Sequence, residues 1–198
     1  MVCYNNFENN SQFCDRGALY MEFNELNNTR RSVRKYDKTK KVTKEQIEQI
    51  IESAILAPSW KNSQTARYYA VLSDKMIEKF RDECLPSFNV TNTDGAVYVV
   101  TTFVGNRSGF DMDGNATNEL GNGWGCYDLG LQNMNFVLKA KELGLDTLIM
   151  GIRDCNAIKN MLNIPEEEII VSVIAVGYGA VEPQKPKRKS ADEIVVFF

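Results

Sequence analysis

Three arginines, a serine and a lysine stand within the six residues RRSVRK at 30–35. An arginine guanidinium is a planar fork that matches phosphate oxygens two at a time. In an extended segment Arg30, Ser32 and Arg34 alternate onto one face, which makes a credible site for a phosphate and a polar ring. A solvated run of surface charge has the same composition, so this stretch alone leaves both readings open. Three further stretches carry comparable chemistry. In APSWKNSQT, residues 57–65, a helix stops at Pro58 and a polar turn of Ser59, Lys61, Asn62, Ser63 and Gln64 follows. Its amides and hydroxyls could bind the N–H and C=O edge of a heterocycle in a mostly apolar pocket, or form an ordinary connection. Gly151 follows a short strand ending at Met150, where the missing side chain would let backbone approach a flat ligand; a plain helix–turn–strand unit fits equally. KPKRK at 185–189, with Lys187 and Arg188, is a second anion-binding candidate far from the first.

The bulk composition narrows what these groups serve. The 198 residues suit one domain with arms, 43% hydrophobic and 25% charged, as in soluble globular proteins. A formal net charge of −3 and a pI near 5.2 argue against a nucleic-acid surface. A local basic cluster in an acidic chain fits one defined anion better. With no histidine, Ser-His-Asp chemistry, Cys-His chemistry and His-ligated zinc are excluded. The five cysteines are odd in number, scattered and without a C-x-x-C, so neither a disulfide framework nor a zinc site is indicated. DMDGN at 111–115 misplaces the glycine of a calcium loop, and no metal is expected. Reduced thiols point to the cytoplasm. No apolar run nears the ~20 residues of a membrane helix. Residues 1–20 are Asn-rich, lack the order of a signal peptide, and read as a poorly ordered extension before one domain at 21–198.

The elements that must position these groups follow from periodicity. FNEL at 23–26 suggests a short helix. Thr43 with Gln46 reads as a capping box, followed by Ile47, Ile50, Ile51, Ala54 and Ile55 on one helical face. RYYAVL (67–72), AVYVVTTFV (96–104), DTLIM (146–150) and IIVSVIAVGYG (169–179) read as strands. Helices are expected from Ser73 or Asp74 through Phe80, from Trp124 to Leu143 with Leu131, Met134, Val137, Leu138 and Ala140 inward, and after an Asp154 cap. Residues 105–123 form a long polar loop of the kind often used as a lid. The tail ends in a strand-like IVVFF, which needs a sheet edge to join.

The order and spacing of RRSVRKYD, APSWKNSQT, DLGLQNMNF, ELGLDTLIMG and VGYGAVEPQKPKRKSADEIV resemble the nitroreductase family over about residues 21–198. The resemblance implies an α+β fold with a central, mainly antiparallel sheet flanked by helices and a C-terminal strand exchanged in a homodimer. It implies FMN at the subunit interface and NADH or NADPH as electron donor. Arg30, Ser32 and Arg188 would contact phosphate and ribityl groups, with Arg31 and Lys187 beside them. Arg34 would stand near the pyrimidine ring and stabilise reduced flavin. Pro58, Ser59, Trp60 and Asn62 would reach the flavin from the other subunit, and Met150 and Gly151 would offer backbone to its reactive edge. No side-chain catalyst is demanded, because the chemistry is the cofactor's. Thr65 replaces the usual proline after Gln64, and Trp60 stands where it could stack over a substrate. The implied activity is hydride transfer from NAD(P)H through flavin to nitro or quinone-like small-molecule acceptors by a ping-pong route. Other readings are a flavin-binding redox or storage module with little turnover, and a relative that dehalogenates or fragments flavin.

Overall fold

A computed structural model describes residues 21–198; the extension expected at 1–20 lies outside them. Four strands, β1 (Ala66–Val71), β2 (Val97–Val104), β3 (Asp146–Met150) and β4 (Glu168–Gly177), form one sheet in the order β1-β2-β4-β3. All three pairings are antiparallel, with a bulge between Thr101 and Thr102 where β2 meets β4. The central strands are apolar on both faces because both are covered. Val97 and Val99 of β2, with Ile174 and Val176 of β4, pack on α2 (Lys44–Ala54) and α5 (Gly123–Glu142). Tyr98, Val100, Val173 and Ala175 point the other way, onto α3 (Asp74–Cys84) and α6 (Cys155–Leu162). The result is an α+β sandwich of three layers. Short helices α1 (Phe23–Thr29) and α4 (Ser87–Asn92) complete it.

Local chemistry sets most boundaries. Thr43 and Gln46 form the expected reciprocal capping box, and the Asp154 carboxylate accepts from the Ala157 N–H at the start of α6. Gly144 takes φ +75° after α5, the left-handed stop that glycine adopts without Cβ strain. Ser73 stands at the N-cap of α3 without a side-chain bond. The helix ahead of Pro58 ends earlier than expected, at Ala54.

One expectation needs correction, and a short helix and the tail add to the reading. The inward face of α5 is rotated from the predicted one. Asp128, Leu129, Gln132, Asn133, Phe136, Val137 and Ala140 are buried, while Met134 is 42% exposed. Polar residues on the buried side hid the true stripe. Helix α4 went unread because SFNVTN has no apolar period. IVVFF forms no strand in the single chain. A 3₁₀ turn at Ala191–Glu193 precedes it, and Val196, Phe197 and Phe198 are 72%, 87% and 116% exposed.

Candidate functional site

The basic segment is held along the free edge of β3. Val33 donates its N–H to Thr147 O at 3.0 Å, Asp37 to Tyr178 O at 2.8 Å, and Ala180 to Lys35 O at 2.9 Å. Tyr36 is the anchor, buried over Gly177, where an added Cβ would come within 2.7 Å of its ring. Burial pushes its phenol far above the ordinary range. The alternation predicted from sequence is present. Arg31 and Val33 line one cavity of about 710 Å3, which leaves Arg30, Ser32 and Arg34 on the opposite face. Ser32 and Arg34 are exposed and Arg30 is half-buried. The Arg34 guanidinium donates to Ser32 O at 3.3 Å.

The tail returns to this segment. Lys185 donates its ammonium to Asn28 Oδ1 at 2.6 Å, fastening the tail to the end of α1. Arg188 thereby comes close to Arg30. Burial, then the Arg188 and Arg31 charges, lower the proton affinity of the Arg30 guanidinium. Among the described residues no carboxylate pairs with Arg30, Arg31, Arg34, Lys187 or Arg188. Cations gathered without a counter-charge repel one another. A phosphate would satisfy them, so the residues present fit the phosphate end of a flavin nucleotide.

Further along the same edge, Met150 buries its side chain in the core and leaves only backbone outward. A Cβ at Gly151 would meet nothing within 4 Å, so a flat ring could approach that backbone. Arg153, missed in the sequence, fixes the turn by donating to Gly151 O at 2.7 Å. Asn89 donates to Ile152 O at 2.9 Å.

Pro58, Ser59, Trp60 and Asn62 lie elsewhere. They lead into β1, at the opposite edge of the sheet from β3. Ser32, bridged to Thr147, is four strand spacings from β1, or about 19 Å. One chain therefore does not bring the two halves of the expected site together. The 59–65 segment is nonetheless sharply defined. Lys61, Asn62 and Gln64 have φ of 45°, 56° and 49°, three left-handed non-glycine residues in four positions. Such strain costs of order 1–3 kcal/mol per residue and persists only where the surroundings enforce it. Asp128, buried on α5, does much of that. Its Oδ2 accepts from the Trp60 N–H at 2.9 Å and from the Ser108 hydroxyl at 2.5 Å. Ser108 Oγ lies 2.7 Å from Ser63 Oγ. The Trp60 ring packs on Trp124, centroids 4.6 Å apart. That contact holds one side of the half-buried Trp60 ring against α5. Asp128 and Ser108 had one legible signal, a carboxylate four residues before Gln132 inside an otherwise packed helix.

Comparison with known proteins identifies the family and the fold. The model of the family described as "Nitroreductase family" matches residues 28–178. A Bacillus subtilis (strain 168) protein named "Putative NAD(P)H nitroreductase MhqN" is 26% identical over 203 residues, covering 89% of this chain and 98% of that one. A solved nitroreductase family protein from Streptococcus pneumoniae TIGR4 superposes with a TM-score of 0.75 at 21% identity, over 89% of this chain and all of the other. A structure titled as a "putative nitroreductase in complex with FMN", from Exiguobacterium sibiricum 255-15, gives a TM-score of 0.72 at 21% identity, over 90% and 98% of the two chains.

Proposed function

The chain belongs to the nitroreductase family, and from that premise we propose that it is an FMN-dependent oxidoreductase that passes hydride from NADH or NADPH to nitro or quinone-like acceptors. The observation that carries this reading is the approach of Arg188 to Arg30, with no carboxylate partner for either among the described residues. The names of the relatives supply the electron donor.

Arg30, Ser32 and Arg188 would hold the phosphate and ribityl chain, with Arg31 and Lys187 adding positive potential. Arg34 would lie along the pyrimidine edge, where its fixed charge offsets negative charge gained on reduction. The backbone at Met150 and Gly151 would support the reactive edge. Bound flavin supplies the two-electron chemistry, and the chain's task is to bind, orient and exclude misplaced water. Donor and acceptor would use the same face in turn, which is a ping-pong sequence.

The separation of the two half-sites supports a homodimer. Pro58, Ser59 and Asn62 of one copy would complete the site on the other. The exposed IVVFF, with no strand partner in its own chain, would join the second copy's sheet. No helix among the described residues is long and apolar enough to cross a membrane. Cys84, Cys126 and Cys155 are free thiols, which fits the proposed cytoplasmic location.

The test is direct. The purified protein should be yellow and release about one FMN per chain on denaturation, the stoichiometry of a single phosphate cradle per subunit. NADH or NADPH should bleach it anaerobically, and a nitroaromatic or quinone should restore the colour. A protein that stays colourless with added FMN overturns the reading. One that binds FMN but is not bleached is a binding module.

A further inference from the structure

Beside the Trp60–Asn62 turn lies a cavity of about 680 Å3 that the flavin site does not use. Lys61, Arg67 and Arg107 line it, with Phe110 and Met112 as an apolar wall. Its one acidic lining residue, Asp111, is spent within the loop, accepting the N–H groups of Asp113 at 3.0 Å and Asn115 at 2.8 Å. Among the described residues none of the three cations forms an ion pair. Arg67 donates to the carbonyls of Gln64 and Ala66, which holds its guanidinium at the mouth. Met112 is fully exposed. The groove is therefore cationic on one side and apolar on the other, and its size falls within the range that takes a small organic ligand.

We propose that this groove receives the adenosine-diphosphate end of the nicotinamide dinucleotide donor. The pyrophosphate meets Lys61 and Arg107, and the adenine lies against Phe110 and Met112. The assignment rests on the flavin reading above, since it needs a donor whose nicotinamide reaches the ring beside Asn62. Lys61 stands between Trp60 and Asn62 and lines the groove, so the groove begins at the turn that would reach the ring. Charge selects the occupant. Simple nitro compounds and quinones carry no fixed charge, whereas the dinucleotide's phosphates do, and three unpaired cations favour the phosphates.

The experiment uses FMN-loaded protein and compares NADH and NADPH with 1-benzyl-1,4-dihydronicotinamide, a hydride donor without phosphates or adenine. Arg107→Glu should raise the KM of the dinucleotides about tenfold, the equivalent of ~1.4 kcal/mol. The rate at saturation, the flavin content and the KM of the benzyl donor should hold. ADP should compete with NADH, and calorimetry should show it binding wild type and not Arg107→Glu. Unchanged dinucleotide KM values, equal changes for both kinds of donor, or a shift in the acceptor's KM alone would overturn the assignment. So would ADP failing to bind. A protein without flavin would instead remove the earlier reading, and the ADP measurement would still decide the groove.

Discussion

Two arginines carry separable predictions. The Arg188 charge acts on Arg30, so removing it relieves repulsion in the flavin-free chain while weakening the proposed phosphate cradle. Arg188→Ala should leave apoprotein melting unchanged or slightly raised, and should weaken FMN binding by roughly tenfold or more, as for a lost charge-assisted hydrogen bond. The stabilisation conferred by added FMN would shrink accordingly. Melting curves with and without FMN read both quantities, and a destabilised apoprotein would mean that Arg188 is structural. The role proposed for Arg34 concerns electrons rather than phosphate. It is exposed, and its guanidinium is steadied by Ser32 O at 3.3 Å. Solvent weakens its field. Arg34→Gln should therefore lower the two-electron potential by up to about 30 mV, the equivalent of ~1.4 kcal/mol. A redox titration of both proteins, fully loaded, measures it. An unmoved potential together with unmoved flavin affinity would return Arg34 to the solvated surface. Both residues were legible in sequence because their type declares the chemistry. Their proximity was not, since 154 to 158 residues of chain separate Arg30 and Arg34 from Arg188, and the Ala180–Lys35 and Lys185–Asn28 hydrogen bonds bring the tail back.

At the scale of elements, α5 and the loops at its N-terminal end form one device. Gly125 lets the helix lie directly on β2, where a Cβ would come within 2.3 Å of the Phe103 ring. That contact places Asp128 under the Trp60–Asn62 turn. Asp128→Ala would strand the Trp60 N–H and leave the Ser108 hydroxyl to Ser63, and should cost about 1–3 kcal/mol, the penalty for one orphaned buried donor. Asp128→Asn retains one acceptor oxygen and should cost less. Urea unfolding gives the stability, and tryptophan emission reports whether the Trp60–Trp124 packing loosens. Flavin affinity should fall with the alanine variant if the turn completes the site. The sheet and most helices were readable because a continuous apolar, β-branched run such as Val97–Val104 marks a strand covered on both faces, and a cap such as Thr43–Gln46 marks a helix start. Helix α5 was found in length and misjudged in orientation. Asp128, Gln132 and Asn133 are buried for their hydrogen bonds, to Trp60 and Ser108, to the Tyr68 hydroxyl and to Thr101, and polarity alone marks such residues as outward.

For the whole molecule, the decisive fact is that the two halves of the proposed flavin site occupy opposite edges of one sheet. If the turn at Pro58–Asn62 serves a second copy, flavin retention must depend on association. The tail separates these effects. Deleting residues 185–198 removes Arg188 together with IVVFF, so it should yield a colourless monomer, and two causes would be mixed. Phe197→Asp combined with Phe198→Asp leaves Arg188 and the Lys185–Asn28 tether in place, and alters side chains that are 87% and 116% exposed in the single chain. The fold of each subunit should be unaffected. A charge placed in an apolar interface carries a desolvation cost, so the double variant should dissociate at concentrations where the wild type stays dimeric by light scattering. Free FMN should then appear on dilution in step with the loss of dimer, because each monomer retains the phosphate cradle and loses its partner's Pro58, Ser59 and Asn62. In the wild type, the same dilution should release little. Flavin held with equal affinity by monomer and dimer would show that one chain suffices, and would confine the site to the β3 edge, where Arg30, Ser32, Gly151 and Arg188 already stand.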